Sequence, residues 1–148
     1  MSRTKFKYFE NINPKNLSKK LEKIDIAITG GFPIILKKEL ISKPKYGFIN
    51  CHAGILPNYR GGSPLNWQII NNETHFGITV IKMNSKIDRG NIVAEKRFKL
   101  KARYDINDLH TIANNNFPKL VQLSIYKILK GYKGKKQNKI KSKYYPQR

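Results

Sequence analysis

The chain has 148 residues, 39% hydrophobic and 11% aromatic, enough to bury the core of one domain and too apolar for a wholly disordered chain. Thirty Lys and Arg against nine Asp and Glu give a formal charge of +21, a field that attracts nucleic acid, anionic membrane or phosphorylated small molecules. No apolar run approaches the roughly 18 residues of a spanning helix, and Met1 to Lys7 lacks the apolar stretch of a signal peptide. A single cysteine, Cys51, excludes an internal disulfide, and three scattered histidines offer no zinc-type spacing, so no metal is expected and the expected address is cytoplasmic.

Residues 1–23 form a basic lead-in, in which Leu17 and Leu21 at i,i+4 mark a short helix after Pro14. Ile24 to Thr29 is a β-branched run closed by Gly30 and Gly31, the pattern of a buried strand followed by a turn. Pro33, Ile34, Ile35, Leu36, Leu40 and Ile41 continue as a helix until Pro44, and Tyr46 to His52 is a second strand. Strand, helix, strand within about thirty residues is the βαβ pattern of a parallel sheet. A Gly- and Pro-rich loop, Ala53 to Pro64, leads into a helix from Leu65 to Asn71. Gly77 to Met83 and Ile92 to Phe98 read as two strands joined by a polar turn. Asp105, with Asp108 three residues on, is an N-cap for a long helix running to Leu129, which Pro118 kinks or splits. From Lys130 to Arg148 there are eight basic residues and no acidic ones, and residues 133–148 read as an exposed tail or linker.

The charge admits two readings. Lysine supplies 24 of the 30 basic residues beside abundant Asn and Ile, as AT-rich codon usage produces, and the lysines lack the aromatic interleaving of a stacking platform. Either composition or a selected polyanion surface accounts for the number.

Chemistry concentrates at the end of the second strand. Residues two apart on a strand face the same side, so Asn50 and His52 share a face where ligands bind in open α/β sheets. A carboxamide donates a hydrogen bond without charge and an imidazole moves protons near neutral pH, so together they could polarise a carbonyl and hold an oxyanion. Asp88 lies on the turn after the next long strand and could fix the histidine tautomer or relay a proton. Read from the residues alone, Asn-x-His is equally an ordinary strand-end hydrogen-bonding pair, Asp88 a turn residue, and Cys51 buried filler. His75 and His110 have no partner legible in the sequence.

The wording of the whole block narrows this. Phe48 to Gly61, then Ser63 to Ile70, Gly77 to Val80 and Asp88-Arg89-Gly90 resemble, in order, the folate-dependent formyltransferase family, over roughly Asp25 to Tyr132. The resemblance implies a partial Rossmann-like α/β sheet, mixed parallel with an antiparallel pair and lacking the family's first strands, with a catalytic core over residues 24–132. It implies catalytic roles for Asn50, His52 and Asp88. A neutral amine would attack the formyl carbon of 10-formyltetrahydrofolate, Asn50 and protonated His52 would steady the oxyanion, and Asp88 would help move the proton to the departing folate nitrogen. The pterin would lie beside Gly31, Phe32, Pro33 and Ile34 and against the turn Asn84, Ser85, Lys86 and Ile87, with Tyr59, Arg60 and Gly61 toward the acceptor substrate. The chain departs from the family at Asn84, Lys86 and Gly54, outside the trio. Ser63-Pro64-Leu65-Asn66-Trp67 looks most like members that formylate the amino sugar of a nucleotide-sugar; initiator tRNA is the other acceptor, suited by the charge. A basic fragment without activity, binding nucleic acid or a partner subunit, is the reading from another class. The expected partners are an amine-bearing small molecule, no membrane, and a second copy or a separate amino-terminal half that pairs with the open sheet edge.

Overall fold

A computed structural model describes residues 14–32, 35–138 and 142–148. The lead-in forms α1 (Pro14–Leu21), where Leu17 and Leu21 reach the core as their spacing predicts. β1 (Ala27–Gly30) starts three residues later than the apolar run, because the 24–26 segment is used in a turn that bonds to Lys45 and Tyr46. The helix expected from Pro33 is much shorter. Pro33 and Ile34 lie outside the described residues, residues 35–37 are not helical, and α2 covers only Lys38–Ile41. Its N-cap, Lys37, is extended and makes no side-chain cap bond, while Leu36 is buried in an apolar cluster just ahead of it. With no Ser, Thr, Asp or Asn to take the first N–H groups, a helix started earlier would gain little.

Three strands after α2 and the long helix follow the sequence pattern. β2 (Phe48–His52) pairs parallel with β1, and β4 (His75–Lys82) lies antiparallel to β2 and to β5 (Asn91–Lys99). The sheet order is β1-β2-β4-β5, so it is a mixed sheet with one parallel and two antiparallel contacts. A bulge between Val80 and Ile81 breaks the β4–β5 register. α3 (Pro64–Ile70) closes the loop after β2. α4 (Ile106–Leu129) opens on a reciprocal capping box between Asp105 and Asp108.

Pro118 sits inside α4 without splitting it. An internal proline costs about 3 kcal/mol, but buried Leu109 and Ala113 before it and Leu120, Ser124 and Ile128 after it dock both halves on the same core. That core joins α4 to Ile49, Phe76, Ile78, Val80, Val93 and Ala94 of the sheet. A second cluster, Leu21, Ala27, Leu36, Ile41 and Phe48, gathers α1 and α2 against the starts of β1 and β2.

The basic segment after α4, read from the sequence as a tail, does not hang free. Lys135 bridges to Ile92, and β6 (Tyr144–Tyr145) pairs in parallel with β3 (Arg60–Gly61) inside the loop after β2. Tyr145 stacks on Tyr59 with ring centroids 5.2 Å apart and leans on Trp67, whose indole N–H donates to the Pro146 carbonyl at 3.0 Å. Aromatic contacts and backbone pairing outweigh the solubility of the flanking lysines, a result charge counting does not reveal.

Candidate active site

Along one face of β2 the side chains run Phe48, Asn50, His52, from the second apolar cluster into a polar site. Thr29 of β1 stands opposite Asn50 in the parallel register, and its hydroxyl lies 3.0 Å from the Asn50 Oδ1. With the oxygen engaged by Thr29, the Asn50 amide N–H groups are the ones left to donate to a ligand. His52 is buried, 5% exposed, and its Nε2 donates to the Tyr59 carbonyl. A carbonyl only accepts, so Nε2 keeps its hydrogen in either charge state of the ring and Nδ1 is the nitrogen left to exchange a proton. Nδ1 stands 3.6 Å from Asp88 Oδ2, so the pair becomes an ion pair when the ring is protonated.

Asp88 reaches this place by an indirect path. Lys82, the last residue of β4, lies opposite Ile49, and Met83 bonds to Phe48, so the β4–β5 turn leaves beside the start of β2. It has to fold back over the polar face to meet His52 near the strand's end. Asp88 takes a left-handed backbone, φ +48°, a costly conformation for a residue with a Cβ. Two contacts fix it there: the Gly61 N–H donates to Oδ2 at 2.9 Å and the Gln137 amide donates to the Asp88 carbonyl at 2.8 Å. Gln137 also accepts from Arg60, whose Nε and Nη2 lie 3.1 and 2.6 Å from its Oε1. Arg60 is itself buried; burial first, and then the neighbouring Arg89, lower its pKa, and Asp88 partly offsets them.

The loop that brings Tyr59 and Gly61 into range is pinned by two fully buried polar side chains. Gln68 donates to the Ala53 and Pro64 carbonyls and accepts from the Gly77 N–H at 3.1 Å. Thr79, opposite His52 on β4, donates to the Gly54 carbonyl at 2.6 Å. Gly54 passes so close that a Cβ there would stand 2.8 Å from His52 Nε2 and 2.9 Å from the Tyr59 oxygen. Sequence reasoning missed Thr29, Gln68, Thr79 and Gln137. Only Thr79, polar within the otherwise apolar run Gly77 to Ile81, left a trace.

Asn50, His52 and Asp88 are thus brought together. The Tyr59 side chain turns elsewhere, its hydroxyl between Glu73 and Asn71, and burial followed by the Glu73 bond raises its pKa; what it gives the site is its carbonyl. Gly61 supplies its N–H to Asp88. Cys51 faces away between the two polar residues, and burial pushes its thiol up to about 11. Gly31, at φ +62°, and Phe32, 40% exposed, form the loop leaving β1; Pro33 and Ile34 are not described. In the other loop Asn84 closes a turn onto the Lys86 N–H and the Arg89 carbonyl, Ser85 and Lys86 are exposed, and Ile87 is 44% exposed. Among the described residues no three His, Cys, Asp or Glu side chains converge on a metal position.

The family described as "Formyl transferase" matches residues 2–121, most of the chain. The chain is a formyltransferase-family protein. It is 36% identical over 142 residues to the methionyl-tRNA formyltransferase of Clostridium acetobutylicum, covering 92% of this chain and 46% of that protein. The methionyl-tRNA formyltransferase of Bacillus subtilis is 32% identical over 136 residues, 88% of this chain and 43% of that protein. The chain therefore spans under half the length of these curated relatives. An N-formyltransferase from Helicobacter canadensis, solved with folinic acid and dTDP-3-aminofucose, superposes with a TM-score of 0.74 at 27% identity, over 86% of this chain and 48% of that one. The formyltransferase PseJ from Anoxybacillus kamchatkensis, at 22% identity and covering 94% of this chain and 72% of its own, shares the fold with a TM-score of 0.79. The Rossmann-like expectation for the formyltransferase sheet is met by these structures.

Proposed function

We propose that this formyltransferase-family chain carries the formyl-transfer centre and moves the formyl group of 10-formyltetrahydrofolate onto an amine. The convergence of Asn50, His52 and Asp88 on one polar face carries the reading. The Asn50 amide, its oxygen turned to Thr29, donates to the carbonyl oxygen of the formyl group as the amine adds and that oxygen gains negative charge. His52 Nδ1, when protonated, supplies the second donor. Asp88 balances that charge and takes the proton the amine loses, passing it toward the departing nitrogen of the folate so that the C–N bond to the amine forms as the old one breaks. No covalent bond to the protein is needed. The loops after β1 and β4 suit the pterin: Phe32 and Ile87 expose apolar surface, and Asn84 closes the second loop into a tight turn through the Lys86 N–H.

The acceptor we favour is the amino sugar of a nucleotide-sugar. The Ser63–Trp67 wording and the likeness to the Helicobacter canadensis enzyme support it. Methionyl-tRNA is the second reading, supported by the curated relatives and by the charge of +21. The test is mass-spectrometric: intact protein with 10-formyltetrahydrofolate and a panel of amino-sugar nucleotides and methionyl-tRNA, beside Asp88→Asn. Transfer to one amine, reduced about a hundredfold or more in Asp88→Asn, is expected. A variant as fast as wild type removes Asp88 from the mechanism, and a folded protein that formylates nothing removes the enzyme.

A further inference from the structure

Beside Asp88 lies a cavity of about 280 Å³ lined by Arg60, Ile87, Arg89, Ser142, Lys143 and Tyr144. Three of these six side chains are cations and none is an acid. Arg60 spends its Nε and Nη2 on Gln137, an arrangement that fixes the plane of the guanidinium and leaves Nη1 for another acceptor. Arg89 makes no side-chain hydrogen bond or ion pair among the described contacts, yet it stands near enough to Arg60 to disfavour the charge of its neighbour. Such crowding of like charge around a small cavity, which Asp88 offsets only in part at Arg60, costs stability, and an anion seated there would lower the cost. The excess of lysine elsewhere does not build this feature: two of its three cations are arginines, of which the chain has six among 30 basic residues.

We infer that this cavity is an anion subsite that holds a phosphoryl group of the amine acceptor. This inference rests on the formyl-transfer reading for the identity of the ligand but not for the existence of the site. Guanidinium forks and an ammonium match the several oxygens of a phosphate ester or pyrophosphate better than one carboxylate needs. The position suits the chemistry as well. Ile87 and Arg89 flank Asp88 in the turn, and Arg60 adjoins Gly61, whose N–H holds the Asp88 carboxylate. A phosphate bound there anchors the acceptor a short distance from the proton-accepting group and leaves the remaining acceptor atoms to reach the Asn50–His52 face. A second, larger cavity of about 750 Å³ shares Ser142 and Lys143 with the first and provides room for the rest of such a molecule.

Calorimetric titration of the intact protein with inorganic pyrophosphate tests the site without the formyl donor. The Kd for pyrophosphate is expected to rise at least tenfold in Arg89→Gln/Lys143→Gln, and less than twofold in Lys99→Gln/Lys101→Gln, which removes the same charge from exposed positions. Arg89→Lys, which keeps the charge and loses the fork, should fall between wild type and the double variant and guards against a folding artefact. Equal losses in the two double variants would assign binding to the overall field and overturn the subsite, as would a wild-type protein that binds no pyrophosphate. Displacement of pyrophosphate by UDP identifies a nucleotide as the phosphate source, displacement only by an RNA hairpin ending in CCA identifies RNA, and displacement by neither detaches the site from the acceptor and refutes the proposal. Pyrophosphate binding that behaves as expected in a protein without transfer activity would sink the formyl-transfer reading alone.

Discussion

His52 makes two contacts of different kinds, and they can be separated. Its Nε2 holds the Tyr59 carbonyl, a structural contact, while Nδ1 faces Asp88 and is the nitrogen to which we assign the proton transfer. A glutamine amide can reproduce the Nε2–H but not a titrating Nδ1, so His52→Gln is expected to fold with near-wild-type thermal stability and to lose about a hundredfold or more in kcat. His52→Ala should lose both activity and stability, because it leaves a buried carbonyl unpaired. Similar kcat values for His52→Gln and wild type would move the proton transfer to another group. Cys51 presents the opposite case, a reactive type made inert. Burial raises its pKa from 9.0 to about 11, so at pH 8 the thiolate fraction is on the order of a hundredfold below that of an ordinary cysteine. Iodoacetamide should label the native protein correspondingly slowly, accelerating only as pH rises toward 11; rapid labelling at pH 8 would contradict the burial. The sign for stability follows: the neutral thiol is the favoured buried form, so this contribution is present below pH 9 and is lost as pH climbs from 9 toward 11.

The elements are joined at the site by buried polar side chains more than by extra apolar contact. Gln68 of α3 ties the β2 loop to β4 through three backbone groups. Gln68→Leu fits the space and takes away the side-chain partner of the buried Gly77 N–H and of the Ala53 carbonyl, so a loss of about 2–4 kcal/mol in urea unfolding is expected. The loop it pins carries Tyr59 and Gly61, so kcat should fall in the same variant. Loss below about 0.5 kcal/mol would show that water replaces the amide. The α2 and Pro118 regions show the limits of local pattern. A run of Ile and Leu after a proline reads as a helix, but no capping residue stands ahead of it, and the buried Leu36 is taken into the core from non-helical backbone. A proline inside a helical pattern reads as a kink or a split, and packing on both sides of Pro118 rules out the split by holding one helix.

At the scale of the whole molecule, charge and acceptor are linked. An RNA acceptor releases condensed counterions as its phosphates are neutralised, and the apparent affinity falls with a log–log slope near −0.9 for each phosphate of a duplex. A nucleotide-sugar carries only the charge of its diphosphate. We expect kcat/KM for the acceptor to fall with a slope shallower than about −2 between 50 and 200 mM salt; a slope of about −5 or steeper would replace the sugar acceptor by tRNA. Much of the +21 charge then lies outside the site, on exposed lysines. Within the described residues β1 is the outer strand of the main sheet, with Ile28 half exposed.

The strands of the main sheet, the long capped helix, the shared face of Asn50 and His52, and the family were legible in the sequence. These depend on local rules: alternation puts i and i+2 on one side, an Asp at the N-cap takes a free N–H, and ordered motif wording survives without coordinates. The closure of the site was decided only in three dimensions. Asp88 meets His52 because the β4–β5 turn folds back over the sheet, against the direction the strand register alone suggests, and because Gly61 and Gln137, 27 and 49 residues away, hold it there. The basic end of the chain packs over that loop because Tyr145 finds Tyr59 and Trp67. Contacts between residues so far apart follow from how the whole chain packs, and no window of sequence contains them.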